Sequence, residues 1–185
     1  MEGYIMTELI AQAIGIVAMG ANIISFQFKS RHHIILCQLL VSALFTVNMF
    51  MLNAVMGGLL NIIGIFRALV FYKPELIKIP RKVINGIFIS LYAASYVLVF
   101  AVFDKDPTLI NFIIELLPLI GATALTVGFS LKDSRAIRMC GFINSPCWLI
   151  YNIVNWTIGG ILCEVFGLTS IISAYIRLDR KEKTH

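Results

Sequence analysis

The lysine and arginine residues of this chain concentrate in four short clusters, and long apolar segments separate the clusters. Because these cations resist transfer across a membrane, the loops that carry them tend to stay on the cytoplasmic side of spanning helices. The clusters therefore predict loops on one shared face, which constrains the number and direction of the helices between them. They are Lys29/Arg31, Lys73/Lys78/Arg81/Lys82, Lys132/Arg135/Arg138 and Arg177/Arg180/Lys181/Lys183.

The composition supports a membrane-embedded chain. Hydrophobic residues make up 59% of the 185 residues and charged residues only 14%, whereas a soluble domain carries about 25% charged residues. We therefore predict an all-α integral membrane protein whose spans each contain about 20 mostly apolar residues. The net charge of +5 does not indicate nucleic-acid binding, because basic residues beside spans meet anionic lipid headgroups.

Charged residues bound three of the predicted spans. These spans cover residues 6–28, 84–103 and 108–131, and Pro107 suits the first turn of the last one. Their lengths match one crossing of the hydrocarbon layer.

Two longer apolar runs, residues 34–72 and 139–176, must each contain two spans. A single helix over either run would reach about 60 Å, twice the hydrocarbon thickness. Each run is predicted to fold as a helical hairpin, the first turning near Asn53 and the second near Asn155 and Trp156.

These assignments predict seven spans, with the N-terminus outside and the C-terminus in the cytoplasm. Lys105, in the loop between spans 4 and 5, is then the one basic residue clearly on the outer side. A count of six or eight spans is the alternative, and it would move the basic C-terminus to the outer face.

Matching residues recur at a spacing of about 103 positions and predict an internal repeat. Two three-span units in the same orientation need an odd number of linking spans, which gives a parallel 3+1+3 architecture. The paired glycines are expected to bring spans 3 and 7 close to neighbouring helices. The matches are Phe26-x-x-Lys29 with Phe129-x-x-Lys132, Cys37 with Cys140, Asn48 with Asn152, and Gly57-Gly58 with Gly159-Gly160. The predicted segments are 1–73 (first repeat), 74–106 (linker helix), 107–178 (second repeat) and 179–185 (cytoplasmic tail).

Several stretches resemble the YgjV-type bacterial inner-membrane proteins, and the resemblance covers nearly the whole chain. It implies a multi-pass protein of the bacterial inner membrane and brings no settled activity with it. The stretches are residues 26–31, the hairpin around Asn48, residues 145–152, Gly159-Gly160 and Glu164.

The 3+1+3 plan is also similar to the SWEET/PQ-loop superfamily of small sugar and amino-acid carriers, whose repeat helices carry hinge prolines. Pro118 in span 5 and Pro146 in span 6 fit this pattern. Spans 1 and 2 contain no proline, and Ser42 takes roughly the place that matches Pro146. The resemblance therefore implies hinges in the second half and not in the first.

Two carboxylates and four amides lie in one layer of the predicted spans. Glu115 and Glu164 each lie about seven residues, or roughly 10 Å, below the outer end of a span. Carboxylates at this depth are costly and usually mark a functional site. We expect these side chains, with Trp148 stacking on a ligand, to line an outward-facing cavity for a small polar or cationic solute. The predicted substrate-binding residues are Gln12, Asn48, Asn61, Glu115, Trp148, Asn152 and Glu164.

Either glutamate is a candidate carrier of a coupling proton. The alternative for the amides is hydrogen bonding between helices, which asparagine and glutamine commonly supply in membranes. Arg67, near the end of the run 34–72, is expected to extend to the cytoplasmic interface. Pairing with a carboxylate or binding an anion remains an alternative for Arg67.

The sequence contains no pattern typical of an enzyme. It lacks a phosphate-binding GxxxxGK[ST] loop and the HExxH and GxSxG motifs, and its four cysteines show no metal-ligand spacing. We therefore predict no catalytic residue, no metal and no cofactor.

The leading interpretation is a small-solute carrier with alternating access, with proton coupling as one option. The alternative is a receptor or interaction protein on the same scaffold. A homo-oligomer is a further possibility, because the chain is small. The identity of the solute is left open.

Overall fold

The computed structural model describes residues 2–131 and 133–179, which form an all-helical bundle with no strand among them. Six of its seven α-helices, all except α6, are long and apolar enough to span a membrane, and α7 is so together with the helical turn that follows it. A short 3₁₀ turn, Pro74–Leu76, precedes α4, and a π-helical turn, Tyr175–Asp179, follows α7. The helices are α1 (Glu2–Gln27), α2 (Arg31–Met51), α3 (Val55–Tyr72), α4 (Arg81–Ala101), α5 (Leu109–Ser130), α6 (Ser134–Val154) and α7 (Ile158–Ala174).

Both predicted hairpin turns are confirmed. The first lies between α2 and α3 at Asn53, and the second lies between α6 and α7 at Asn155 and Trp156. Pro107 lies just before α5 rather than in its first turn, since Thr108 is the N-cap and its hydroxyl accepts from the Asn111 N–H at 3.2 Å. Lys132 and residues 180–185, which include most of the predicted tail, lie outside the described residues.

The two hairpin turns share one pattern of backbone hydrogen bonds. Ala54 N–H donates to Met49 O, and Thr157 N–H, 103 residues later, donates to Asn152 O. Asn53 and Trp156, also 103 apart, both have positive φ, at 57° and 50°. In this register Asn152 corresponds to Met49, one residue away from the Asn48 match made from sequence.

Six helices pack side by side in a closed ring, and α4 lies against α3 and α5 at its edge. The ring order is α1, α2, α3, α5, α6, α7 and back to α1. One end of the bundle carries the N-terminus and both hairpin turns, and we call it the N-terminal end. The other, the basic end, carries the loops α1–α2, α3–α4 and α5–α6 and the π-helical turn after α7. The described residues of the basic clusters lie in these segments or in the adjoining first two turns of helices.

Helices α1 and α7 close the ring through two glycines. A Cβ atom added to Gly159 would lie 2.6 Å from the Gly15 Cα, so the two backbones touch. Helix α3 also approaches α2 closely, since a Cβ on Gly58 would lie 2.8 Å from the Phe50 ring. These contacts confirm the expectation that the glycines of spans 3 and 7 bring these helices close to their neighbours. Small residues allow such close approach between helices in lipid.

Gly159→Ala is expected to lower the stability of the folded bundle by about 1–3 kcal/mol, a typical cost of overpacking. The added methyl group would meet backbone atoms of α1, which cannot rotate aside. Thermal unfolding in detergent measures the effect. Gly20→Ala is the matched control, because a Cβ there meets nothing within 4 Å and alanine favours helix. Equal unfolding temperatures for the two variants would contradict the close contact.

Candidate functional site

A cavity lies inside the ring, and all six ring helices contribute to its wall. The cavity has a volume of about 60 Å³, which is enough to hold water. Its wall is unusually polar for the interior of a membrane bundle. The polar and charged lining residues are Asn22, Gln38, Ser42, Asn61, Arg67, Asn144, Ser145, Asn152 and Glu164.

Glu164 of α7 supplies the carboxylate of this cavity. Its side chain is 8% exposed, and the Ser145 hydroxyl of α6 lies within hydrogen-bonding reach of it. The second carboxylate oxygen, Oε2, is buried and has no hydrogen-bond partner among the described residues. Because a buried polar atom left unpaired costs free energy, Oε2 marks a place where a proton or a ligand would be stabilised.

Arg67 of α3 supplies the positive charge of the cavity, and the prediction that it extends to the interface is wrong. The side chain is only 5% exposed. Its Nη1 donates to Tyr92 Oη at 3.3 Å and to Ala122 O at 3.2 Å. The guanidinium also lies over the Phe129 ring, 4.9 Å from its centroid. These partners on α4 and α5 hold Arg67 inside the bundle, and its Nε remains buried without a partner.

A network of amides joins α1, α2 and α7 at the cavity wall. Gln38 Nε2 donates to Asn22 Oδ1 at 2.7 Å and to Ser25 Oγ at 2.9 Å. Asn22 Nδ2 in turn faces the Cys163 Sγ at 3.2 Å. Asn22 and Gln38 were not among the predicted site residues. Their polar character in the middle of apolar helices was the signal that would have identified them.

Four of the predicted site residues line the cavity: Asn61, Trp148, Asn152 and Glu164. Asn61 Nδ2 donates to Gly57 O of its own helix at 2.8 Å. Asn152 Oδ1 accepts from the Thr157 hydroxyl at 2.6 Å, which ties it to the start of α7. The predicted layer therefore does contain a polar cavity, but hydrogen bonds within the protein already engage both amides.

The other three predicted site residues lie outside the cavity wall and make contacts elsewhere. Gln12 Oε1 accepts from the Gly159 N–H at 3.2 Å, and Asn48 Nδ2 donates to Ala11 O at 2.7 Å. Glu115 is 1% exposed and forms an ion pair with Lys105, with 2.9 Å between Oε1 and Nζ. The contacts of Gln12 and Asn48 are hydrogen bonds between helices, which is the alternative role considered for the amides. The ion pair of Glu115 joins its helix to a loop.

Both predicted hinge prolines lie inside helices that wall the cavity. Pro118 is in α5 and Pro146 is in α6, beside Ser145. Each proline lacks an N–H and so leaves the carbonyl four residues earlier without its usual helical partner. The structure places them where bending would alter the cavity, and hinge motion remains a prediction.

Arg31 closes the basic end of the ring, and we call its contacts the Arg31 latch. Its Nη2 donates to Phe71 O at 2.9 Å and to Phe129 O at 2.7 Å, and its Nε donates to Leu131 O at 3.1 Å. The acceptors are carbonyls at or near the C-terminal ends of α3 and α5, where the helix dipole favours a cation. The latch therefore ties α2 and α3 to α5 at the end where Arg31 lies.

The chain matches the family Imp-YgjV, described as bacterial inner membrane protein, over residues 9–182. No curated protein and no solved structure matches it. The family match covers nearly the whole chain, so the resemblance seen in the sequence is confirmed. The chain belongs to this bacterial inner-membrane family and is a membrane protein with several apolar helices.

Proposed function

We propose that this member of the YgjV family is a small polar-solute carrier that works by alternating access without covalent chemistry. The observation that carries the proposal is the polar cavity enclosed by six helices, with a buried glutamate and a buried arginine on its wall. Polar and charged groups are expensive inside a membrane and are usually retained for a solute or ion pathway. A bundle built only for stability would fill this space with apolar side chains.

The proposal takes all seven helices as membrane spans. Helix α6 has the same length as α2, 21 residues, and packs between α5 and α7. It is less apolar because it carries Arg135 and Arg138 near its start and, further along, Asn144, Ser145 and Asn152, which line the cavity. A span that faces a polar cavity can carry such residues at less cost than one that faces lipid.

The parallel 3+1+3 repeat is part of the proposal. Three observations support it: the hairpin turns share their hydrogen bonds at a spacing of 103, the ring pairs α1–α2 as it pairs α5–α6, and α1–α7 corresponds to α5–α3. With α4 outside the ring, the halves are related by an axis along the membrane normal. This is the arrangement of small carriers built from parallel repeats. We attribute the similarity to the SWEET/PQ-loop superfamily to this shared arrangement.

We propose that the basic end faces the cytoplasm and that the N-terminus is outside. Of the described lysines and arginines, Lys105 lies in a loop at the N-terminal end, whereas most others lie in loops or helix ends at the basic end. This asymmetry follows the positive-inside rule. The basic loops then also meet anionic lipids of the cytoplasmic leaflet.

Each of the two glutamates has one buried oxygen without a partner among the described residues, and proton coupling is assigned to Glu164 because it is the one that lines the cavity. Glu115 is not assigned this role, since Lys105 already neutralises it. The receptor alternative requires no interior space for a solute, so the polar cavity favours the carrier.

Uptake of radiolabelled solutes into proteoliposomes tests the carrier proposal. The screen covers sugars, amino acids and vitamins, with and without an imposed pH gradient, and protein-free liposomes are the blank. We expect saturable uptake of at least one polar solute, with exchange against the same unlabelled solute inside. Absence of uptake across the screen, by a protein that stays folded in the vesicles, would reject the carrier in favour of the receptor.

A further inference from the structure

We propose that the cavity binds an amphoteric solute, whose anionic group meets Arg67 and whose protonated amine meets Glu164. The inference rests on the proposed carrier function and names the chemical class of its solute. It follows from the two opposite charges on the cavity wall and from the contacts that each of them leaves unmade.

The arginine end needs an anion. Arginine stays protonated in proteins, and Arg67 Nη1 donates to the Tyr92 hydroxyl, a backbone carbonyl and the Thr126 hydroxyl, all of which are neutral. A buried charge without a counter-charge is unfavourable in a membrane. Because all three bonds use Nη1, and Nε is unpaired, the guanidinium keeps donor capacity for a carboxylate.

The glutamate end needs a cation or a proton. Glu164 Oε2 is buried and unpaired, and Ser145 offers a single hydroxyl to the carboxylate. A protonated amine donates up to three hydrogen bonds. It would therefore satisfy Oε2 and also reach amide oxygens on the same wall, where Asn144 lies.

The two charges do not neutralise each other. Among the described residues, Lys105 and Glu115 form an ion pair, but Arg67 and Glu164 do not form one with each other. Glu164 and Asn61 are each the seventh residue of helices that start at the same end of the bundle. Arg67 lies six residues beyond Asn61, or about 9 Å further along the helix axis. A solute that spans both groups therefore carries its charges several ångströms apart, as an ω-amino acid does.

Equilibrium binding of three probes to the purified full-length protein in nanodiscs tests this inference. The probes are 5-aminopentanoate, which carries both charges, pentylamine, which lacks the carboxylate, and pentanoate, which lacks the amine. We expect the protein to bind 5-aminopentanoate about 10- to 100-fold more tightly than either single-charge probe, the range for a hydrogen bond to a charged group.

The variants separate the two ends of the solute. Glu164→Gln should remove the preference for 5-aminopentanoate over pentanoate, and Arg67→Gln should remove the preference over pentylamine. Arg67→Lys keeps the charge and should keep the preference over pentylamine, which Arg67→Gln loses. Unfolding temperatures of the two variants show whether each is folded. Glu75→Gln and Lys82→Gln, both at exposed positions in the basic end, are the matched controls and should bind as the unchanged protein does.

Equal binding of the three probes, or no binding of 5-aminopentanoate by the unchanged protein, would overturn the inference. So would a Glu164→Gln variant that keeps the full preference. Selective binding without any transport would leave the inference standing and reject the carrier. Transport of an uncharged sugar with no binding of 5-aminopentanoate would support the carrier and reject the inference about its solute.

Discussion

Glu164→Gln is expected to abolish the accumulation of solute that a pH gradient drives into proteoliposomes. Glutamine keeps the shape of the side chain and its hydrogen bonding with Ser145, but it cannot take up and release a proton. One coupled proton supports up to about tenfold accumulation per unit of pH gradient, since one pH unit corresponds to about 1.4 kcal/mol. The variant should therefore equilibrate solute to a concentration ratio near one.

Because a proton and the amine of the solute compete for Glu164, they exchange across the membrane. Time courses of labelled solute, with the vesicle interior more acidic than the outside by one unit, measure this effect. Glu75→Gln makes the same chemical change at an exposed position of the basic end and should accumulate solute normally. Glu164→Gln vesicles, supplied with enough solute to offset the weaker binding, must still exchange it without a gradient, which shows that the variant is folded. Gradient-driven accumulation that survives in this variant would refute the proton role of Glu164.

Arg31→Ala is expected to open the basic end of the bundle. The substitution removes the three hydrogen bonds by which the Arg31 latch holds the C-terminal carbonyls of α3 and α5. Hydrogen bonds to a charged group contribute about 1.5–3 kcal/mol each when buried. Allowing for the partial exposure of Arg31, a net loss of about 2 kcal/mol would raise the open population about 30-fold.

Spin labels at Lys78→Cys and Asp133→Cys, in a background without the native cysteines, measure this opening by pulsed dipolar spectroscopy. The distance distribution should gain a longer component in Arg31→Ala. Lys29→Ala is the control, because Lys29 is an exposed basic residue of the same loop. A lower unfolding temperature with an unchanged distance distribution would show that the latch only adds stability.

The hairpin turns and the helix bounds could be predicted because length and charge act locally. An apolar run of almost 60 Å must fold back in a membrane about half as thick, and the turn then falls where Asn53 or Asn155 interrupts it. The predicted span 108–131 agrees with the helix Leu109–Ser130, because charged residues bound it on both sides. The position of the polar layer was also predictable, because depth follows from 1.5 Å per residue.

Which side chains of that layer face the cavity could not be predicted, because facing depends on how the helices rotate and pack. Glu115 and Glu164 lie at similar predicted depths, yet Glu115 pairs with Lys105 and Glu164 lines the cavity. Arg67 was expected to extend toward water because it is close to the end of its span. Helices α4 and α5 instead supply Tyr92 and Ala122 O as partners, contacts that no local pattern reveals.

Cys163 allows the most direct test of alternating access, because it is buried and lines the cavity. In a variant with Cys37, Cys140 and Cys147 replaced by alanine, a small charged methanethiosulfonate reagent is added to one face of oriented vesicles at a time. The account predicts that Cys163 reacts from either face and that a bound solute slows both reactions. Reaction from neither face, or from one face alone, while the detergent-unfolded protein reacts fully, would contradict it.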